Sequence, residues 1–158
     1  SYCQDNEISW IDWSLLEKNK DLFEFFKFMI DYRKKHPVIR KKLDNAVCGM
    51  EAMHAHDVNA ERMEVPQNAK TLAVSFAGYD RKKGKDDLVY VAVNAYWEEV
   101  KITLPNLANH GAWYLSVDTY GDEKGKYFYQ EGEEIRIDRE YVMKPRSIVV
   151  FTGREILR

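Results

Sequence analysis

Residues 88–104 read LVYVAVNAYWEEVKITL, and this stretch decides the fold class. It holds two runs of apolar and β-branched residues, Leu88 to Asn94 and Val100 to Leu104, on either side of a short polar and aromatic segment. Short runs of this kind, bounded by turn-forming residues, are typical of β-strands. Further runs lie at Thr71 to Ala77, Trp113 to Val117, Glu134 to Ile137 and Ser147 to Thr152, with a weaker one at Lys126 to Tyr129. Several short strands with no helical pattern between them predict a mainly β fold, an antiparallel β-sandwich. The segment Asp44 to Asn68 is less regular, and we expect a long connection there with one strand.

The pattern changes near residue 43, and the residues before it are helical. Ser14 to Glu17 has the form of a capping box, in which the Ser and Glu side chains satisfy free backbone amides at a helix start. Asn19 is a candidate cap for a second start. Asp21 to Lys35 contains no Gly or Pro, and Pro37 disfavours helical geometry at the residue before it. The sequence therefore predicts a helix that ends close to His36.

This helix has an unusually wide apolar side. At about 100° per residue, its apolar side chains spread over roughly 220° of the circumference, whereas an ordinary surface helix has a stripe somewhat wider than about 100°. The residues concerned are Leu22, Phe23, Phe25, Phe26, Phe28, Met29, Ile30 and Tyr32. The pattern indicates packing partners on two sides. Either the chain's own sheet wraps around the helix, or one partner lies in a part of the polypeptide outside this sequence.

Composition and charge limit the partners. The chain has 158 residues, 45% of them hydrophobic, and a formal net charge of −2, which suits the core of about one domain. The mixed charges give no reason to expect nucleic acid or a membrane surface as a partner. No apolar run approaches the roughly 20 residues of a membrane span. Cys3 and Cys48 are too few for a disulfide framework, and we expect reduced thiols and a cytoplasmic location.

Two polar clusters are candidates for chemistry. Asp5 and Glu7 are separated by one residue, and a retaining glycosidase needs two carboxyl groups about 5 to 5.5 Å apart. Neighbouring carboxylates in a loop are mostly solvated, so we expect no catalytic pair here. His54 and His56 would lie on one face of a strand and begin a metal site, but no further Cys or His nearby completes the ligand set. We therefore expect no metal and no cofactor.

Aromatic residues are the candidates for glycan binding, since sugar rings stack on Trp and Tyr faces. The residues in question are Trp97, Trp113, Tyr114, Tyr127 and Tyr129. In a β-sandwich of this size most of them are expected to pack in the core or at strand edges. An independent glycan-binding module would instead expose Trp97 and Trp113 together on one face.

Several stretches carry a resemblance to a known family. SYCQDNEISWIDW (residues 1–13) is similar to the tract near the end of the catalytic barrel in glycogen debranching enzymes and isoamylases of the alpha-amylase superfamily. LFEFFKFMIDYRKKHPVIRK (22–41) resembles the last barrel helix of that family and the His-Pro that closes it. LVYVAVNAYWEEVKITLP (88–105), WYLSVDTYG (113–121) and YVMKPRSIVVF (141–151) resemble successive pieces of its C-terminal β-domain.

The resemblance implies a division of the chain and a set of roles. Residues 1–42 would be the last active-site-side loop and final helix of a catalytic (β/α)₈ barrel, and residues 43–158 the C-terminal β-sandwich domain. The family hydrolyses α-1,6 linkages of glycogen or amylopectin with three barrel carboxylates, and the matching motifs begin after all three. We therefore assign no catalytic residue. Tyr2, Asp5 and Asn6, in the last loop, are candidates for contacting substrate, or more simply for bracing the loop.

The function that follows is that of a C-terminal fragment of an α-1,6-glucosidase. Its expected role is structural support of the catalytic barrel, and the isolated chain is expected to be inactive. Its partners would be the barrel of the same polypeptide and, for the full-length enzyme, an α-glucan. A helix face without its partner is also expected to promote dimerisation. The alternatives are an independent glycan-binding β-sandwich module and a stand-alone interaction domain.

Overall fold

The computed structural model describes residues 3–60, 66–108 and 111–154. Two helices come first, followed by a short 3₁₀ turn at Pro37–Ile39 and then by strands. The helices are α1 (Leu15–Lys18) and α2 (Lys20–Lys35). The strands are β1 (Met53–His56), β2 (Thr71–Asp80), β3 (Lys85–Asn94), β4 (Val100–Thr103), β5 (Ala112–Asp118), β6 (Ile135–Ile137), β7 (Glu140–Met143) and β8 (Ser147–Arg154).

The strands form two antiparallel sheets. The large sheet has six strands in the order β1-β2-β3-β8-β5-β6, and the small sheet pairs β4 with β7. Ile102 and Met143 of the small sheet belong to the same buried cluster as Tyr90 and Phe151 of the large one. The mainly β, antiparallel, sandwich-like fold predicted from the sequence is confirmed.

The large sheet is covered on both faces, which explains the nearly continuous apolar run in β3. Successive side chains of a strand point to opposite faces. Leu88 and Tyr90 belong to the cluster shared with the small sheet, whereas Val89 and Val91 belong to a second cluster under helix α2. A strand that is buried on both sides needs apolar residues at successive positions rather than at alternate ones.

Helix α2 packs on the large sheet through one side only. Phe28 and Tyr32 are buried there, and the Phe28 ring stacks on Phe128 with ring centroids 4.6 Å apart. The Tyr32 hydroxyl lies 2.8 Å from Thr152 Oγ1, which in turn lies 2.8 Å from Ser116 Oγ. Burial raises the pKa of the Tyr32 hydroxyl, so it stays protonated and able to donate within this chain of hydroxyls.

Two neighbouring carboxylates of β3 fasten the segment that follows α2. On the helix side, Asp87 Oδ2 accepts the Val38 N–H at 3.0 Å and Asp87 Oδ1 lies 2.6 Å from His36 Nδ1. On the opposite face, Asp86 accepts the N–H groups of Val47 and Cys48, both at 2.8 Å. The alternation of β3 thus lets two adjacent residues hold the chain on both faces of the sheet.

Some local predictions were wrong. Ser14 makes no side-chain cap, because its hydroxyl donates to Asp12 Oδ1 at 2.6 Å instead. Asn19 does not cap α2 either, since its Nδ2 donates back to the Leu15 carbonyl at 3.0 Å. The weak run at 126–129 forms one isolated bridge, between Val117 and Phe128, rather than a strand.

Other local predictions were confirmed. Helix α2 ends at Lys35, where Pro37 predicted it, and β1 is the single strand between residues 44 and 68 in the described part of that connection. No helix in the described ranges is both long and apolar enough to span a membrane.

Candidate functional site

The second side of α2 is a large exposed apolar surface. Together with α1 and the segment before it, this side forms a shallow groove of about 410 Å³. The apolar side chains that line it are Ile11, Trp13, Leu15, Leu16, Leu22, Phe23 and Phe26. We refer to these seven residues as the α1–α2 apolar surface. All seven are exposed in the structure.

The sequence prediction of a two-sided helix is confirmed by the exposures. Phe23 is 45% exposed, Phe26 58% and Ile30 53%, whereas Phe28 and Tyr32 are buried against the sheet. The alternative in which the chain's own strands wrap the whole helix is therefore wrong for the residues described. Single exposed apolar residues are common, but a contiguous patch of this kind marks an interaction site.

The surface is built by local geometry. In α2, Leu22, Phe23 and Phe26 follow the three- and four-residue spacing that places side chains on one side of a helix. Helix α1 has only four residues and buries none of its side chains. Its exposed leucines extend the same apolar strip, so the groove has the shape and chemistry to receive apolar side chains of another protein segment.

The loop at residues 3–13 contains two of the three predicted site residues, Asp5 and Asn6. Tyr2 lies outside the described residues. Asp5 Oδ1 accepts the Trp10 Nε1–H at 2.6 Å, and Asn6 Oδ1 accepts the Ile8 N–H at 3.1 Å while Asn6 Nδ2 donates to Gln4 at 3.0 Å. The polar groups of Asp5 and Asn6 are thus used within the loop. Their assignment as substrate-binding or bracing residues stays a prediction.

The other sequence candidates are occupied in structural roles. His54 Nδ1 lies 3.0 Å from Glu51 Oε2, and His56 lies between Ser75 Oγ at 2.8 Å and the Ala60 carbonyl at 3.2 Å. Burial lowers the pKa of His56, which favours its neutral form. Within the described ranges, no group of three His, Cys, Asp or Glu side chains is placed to hold a metal ion.

Trp97 and Trp113, which an independent glycan-binding module would expose together, differ in burial. Trp113 is buried in the sandwich core and donates its Nε1–H to the Pro105 carbonyl at 2.7 Å. Trp97 is exposed on the loop between β3 and β4. The two indoles therefore do not form a joint platform, and of this pair Trp97 is the one that is exposed.

Sequence reasoning missed a polar cleft at the C-terminal end of α2. It has a volume of about 450 Å³ and lies between the helix and the ends of β3 and β8. Three pairs of its ionisable side chains are in contact: Asp31 with Lys35, His36 with Asp87, and Glu134 with Arg154. These partners are distant in sequence, apart from the helical pair Asp31–Lys35, so no local pattern identifies the cleft. The pairing suits a structural junction between helix and sheet.

Comparison with known proteins agrees with this architecture. A family profile described as "Isoamylase, C-terminal" matches residues 47–152, about two thirds of the chain. The chain is similar to "Glycogen operon protein GlgX homolog" of Mycobacterium tuberculosis, with 51% identity over 41 residues, 26% of this chain and 6% of the relative. It is also similar to "Isoamylase 3, chloroplastic" of Oryza sativa subsp. japonica, with 28% identity over 120 residues, 75% of this chain and 14% of the relative. The chain thus spans only a small part of the length of these relatives. Since the profile covers more than half of the chain, the chain belongs to the isoamylase C-terminal family.

Proposed function

We propose that this chain is the C-terminal part of an α-1,6-glucan debranching enzyme and that its own role is to support the catalytic barrel. In this proposal residues 1–42 complete the barrel and residues 43–158 form the β-sandwich domain. The enzyme is cytoplasmic and acts on glycogen or amylopectin. The observation that carries the proposal is the exposed α1–α2 apolar surface in a chain of the isoamylase C-terminal family.

The occupant of that surface is the upstream part of the same polypeptide. The matched relatives are many times longer than the segments they share with this chain. Leaving seven large apolar side chains in water costs free energy that burial would recover at about 25 cal/mol per Å². A barrel packed against the outer side of α2 recovers it, and also covers the loop at residues 3–13.

The catalytic groups lie in that upstream part. Glycoside hydrolysis of this class uses carboxyl groups at the C-terminal ends of several barrel strands, and such a barrel takes at least about 200 residues. This chain has 158 residues, and the strands of its described part form two antiparallel sheets rather than a parallel barrel. Asp5 is already bonded to Trp10, which suits a loop-bracing role. The isolated chain is therefore expected to be inactive.

An activity assay tests the proposal directly. The purified chain and the polypeptide extended upstream in the same reading frame are each incubated with glycogen, and release of linear glucan is measured. Activity is expected only for the extended polypeptide. Linear glucan released by the isolated chain, or a reading frame that does not continue into a barrel, would overturn the proposal.

The same surface explains an expected side effect. In the absence of the barrel, two copies of the chain can bury their α1–α2 apolar surfaces against each other. We propose that such a dimer forms only when the barrel is missing. Sedimentation of the isolated chain and of the extended polypeptide at equal molar concentration compares the two cases, and a dimer that persists with the barrel present would contradict it.

A further inference from the structure

The loop between β3 and β4 presents an exposed indole far from the α1–α2 apolar surface in sequence. Trp97 is 63% exposed, although Trp is highly buried on average in folded proteins. Trp97 is not buried in either core cluster and does not line the α1–α2 apolar surface. Its position therefore needs an explanation of its own.

The loop that carries Trp97 is held rigidly by a buried amide. Asn94 is only 1% exposed, and its Nδ2 donates to the carbonyls of Glu98 at 2.9 Å and Lys144 at 3.0 Å. Its Oδ1 accepts the Tyr96 N–H at 3.0 Å. Bonds on both sides of Trp97 fix the loop before any ligand binds, so binding there requires little further ordering.

The indole is part of an aromatic pair with a cation beside it. The ring centroids of Tyr96 and Trp97 are 4.3 Å apart with a tilt of 40°. Lys70 Nζ lies 3.9 Å from the Tyr96 centroid and 5.3 Å from the Trp97 centroid. The ammonium group stabilises the pair through cation–π interactions and also brings N–H donors close to the indole.

The surrounding charges indicate a neutral ligand. Lys144 is paired with Glu99, and Glu98 directly follows Trp97 in the sequence, so the segment around the indole carries charges of both signs. A neutral sugar ring offers an apolar C–H face to stack on an indole and hydroxyl groups to accept from Lys70. A single indole with flanking charges is much smaller than the roughly 800 Å² that each partner buries in a stable protein–protein interface.

We propose that Trp97, backed by Tyr96 and flanked by Lys70, is a stacking site for an α-glucan chain. The choice of α-glucan among neutral polysaccharides rests on the proposed function. Trp97 does not line the groove of the α1–α2 apolar surface. The site holds a branch of the polymer next to the enzyme, and it does not require the isolated chain to hydrolyse anything.

Affinity electrophoresis of the full chain tests the site. The wild type, Trp97→Ala and Trp97→Phe are run in native gels with and without glycogen, and Val47→Ser serves as a control that removes an exposed apolar side chain beside Asp86, near the opposite end of β3. Wild type and Val47→Ser are expected to be retarded equally. Trp97→Ala is expected to bind about tenfold more weakly, and Trp97→Phe to fall between the two. Thermal unfolding confirms that each variant is folded.

The outcomes separate this site from the proposed function. Equal retardation of wild type and Trp97→Ala, or no retardation of either, overturns the site and leaves the barrel-support proposal standing. If hydroxyethyl cellulose retards the wild type as much as glycogen does, the assignment to α-glucan is overturned. Phe26→Ser removes a ring from the α1–α2 apolar surface. If Trp97→Ala weakens binding of the chain to the barrel as much as Phe26→Ser does, the indole is a protein contact and the proposal is wrong.

Discussion

Removing one ring from the α1–α2 apolar surface should weaken docking of the barrel by a calculable amount. Phe26 is 58% exposed, and a Phe side chain that buries fully covers about 200 Å², so docking would bury roughly 115 Å² of it. At about 25 cal/mol per Å² this is close to 3 kcal/mol, or roughly a 100-fold change in affinity. Phe26→Ser is therefore expected to weaken association by up to about 100-fold. Because the ring is exposed, the fold of the isolated chain should change little in stability.

The matched control is Tyr120→Ser, since Tyr120 is also 58% exposed but lies outside the α1–α2 apolar surface. Binding of each variant to the separately expressed barrel segment is measured by calorimetry. Thermal unfolding of the extended polypeptide gives a second measurement, which does not require the separate barrel segment to fold by itself. Phe26→Ser should lower the midpoint and Tyr120→Ser should not. Equal behaviour of the two variants in both measurements would refute the docking argument.

Three further changes test the packing of the sandwich and its junction with α2. In Gly153→Ala the new Cβ would lie 2.8 Å from Leu88 Cβ, so we expect a loss of about 1–3 kcal/mol in unfolding free energy, measured by urea titration. Asp87→Asn replaces one of the two buried oxygens that face Val38 N and His36 Nδ1 with an NH2 donor, and we expect a loss of about 2–3 kcal/mol and a thermal midpoint lower by several degrees. Burial lowers the pKa of His56, so its neutral form stabilises the fold above about pH 6.5, and that contribution is lost as the pH falls through the lowered pKa. His56→Gln should flatten this dependence between about pH 7 and pH 5, and an unchanged slope would exclude His56 as its source.

The central strands were predictable because they are buried on both faces, which requires apolar side chains at consecutive positions. β3 and β8 lie between helix α2 and the small sheet, so both faces of each strand demand apolar side chains. Strand β7 was missed for the opposite reason. Its four residues, Glu140–Met143, pair only with β4, and only Met143 is buried. Its apolar run, Tyr141 to Met143, is shorter than the four to eight residues over which such a run predicts a strand.

Sequence reasoning identified the apolar outer side of α2 but not the contacts that join the helix to the sheet. The arc of apolar positions on α2 is a property of helical geometry alone, so a pattern of residues was enough to predict two sides. The bond between Tyr32 and Thr152 joins residues 120 positions apart, and the two carboxylates of β3 act on opposite faces of the sheet. Such contacts depend on the register of β3 and β8 relative to the helix. The capping box failed because a competing acceptor, Asp12, was close to Ser14.

Helix α2 is the structural link that makes support of the barrel mutual under the proposed docking. Its sheet-facing side is fixed by the Tyr32 hydroxyl on Thr152 and by His36 on Asp87, so the outer side has one orientation relative to the sandwich. A barrel that packs on the outer side thus contacts the same helix as the sandwich, and the two parts are not joined by a flexible linker alone. Removing the sandwich would expose Phe28 and Tyr32 of the helix, and removing the barrel exposes Phe26 and its neighbours. Each part therefore covers an apolar surface that the other cannot bury alone, which is why stabilisation should act in both directions across α2.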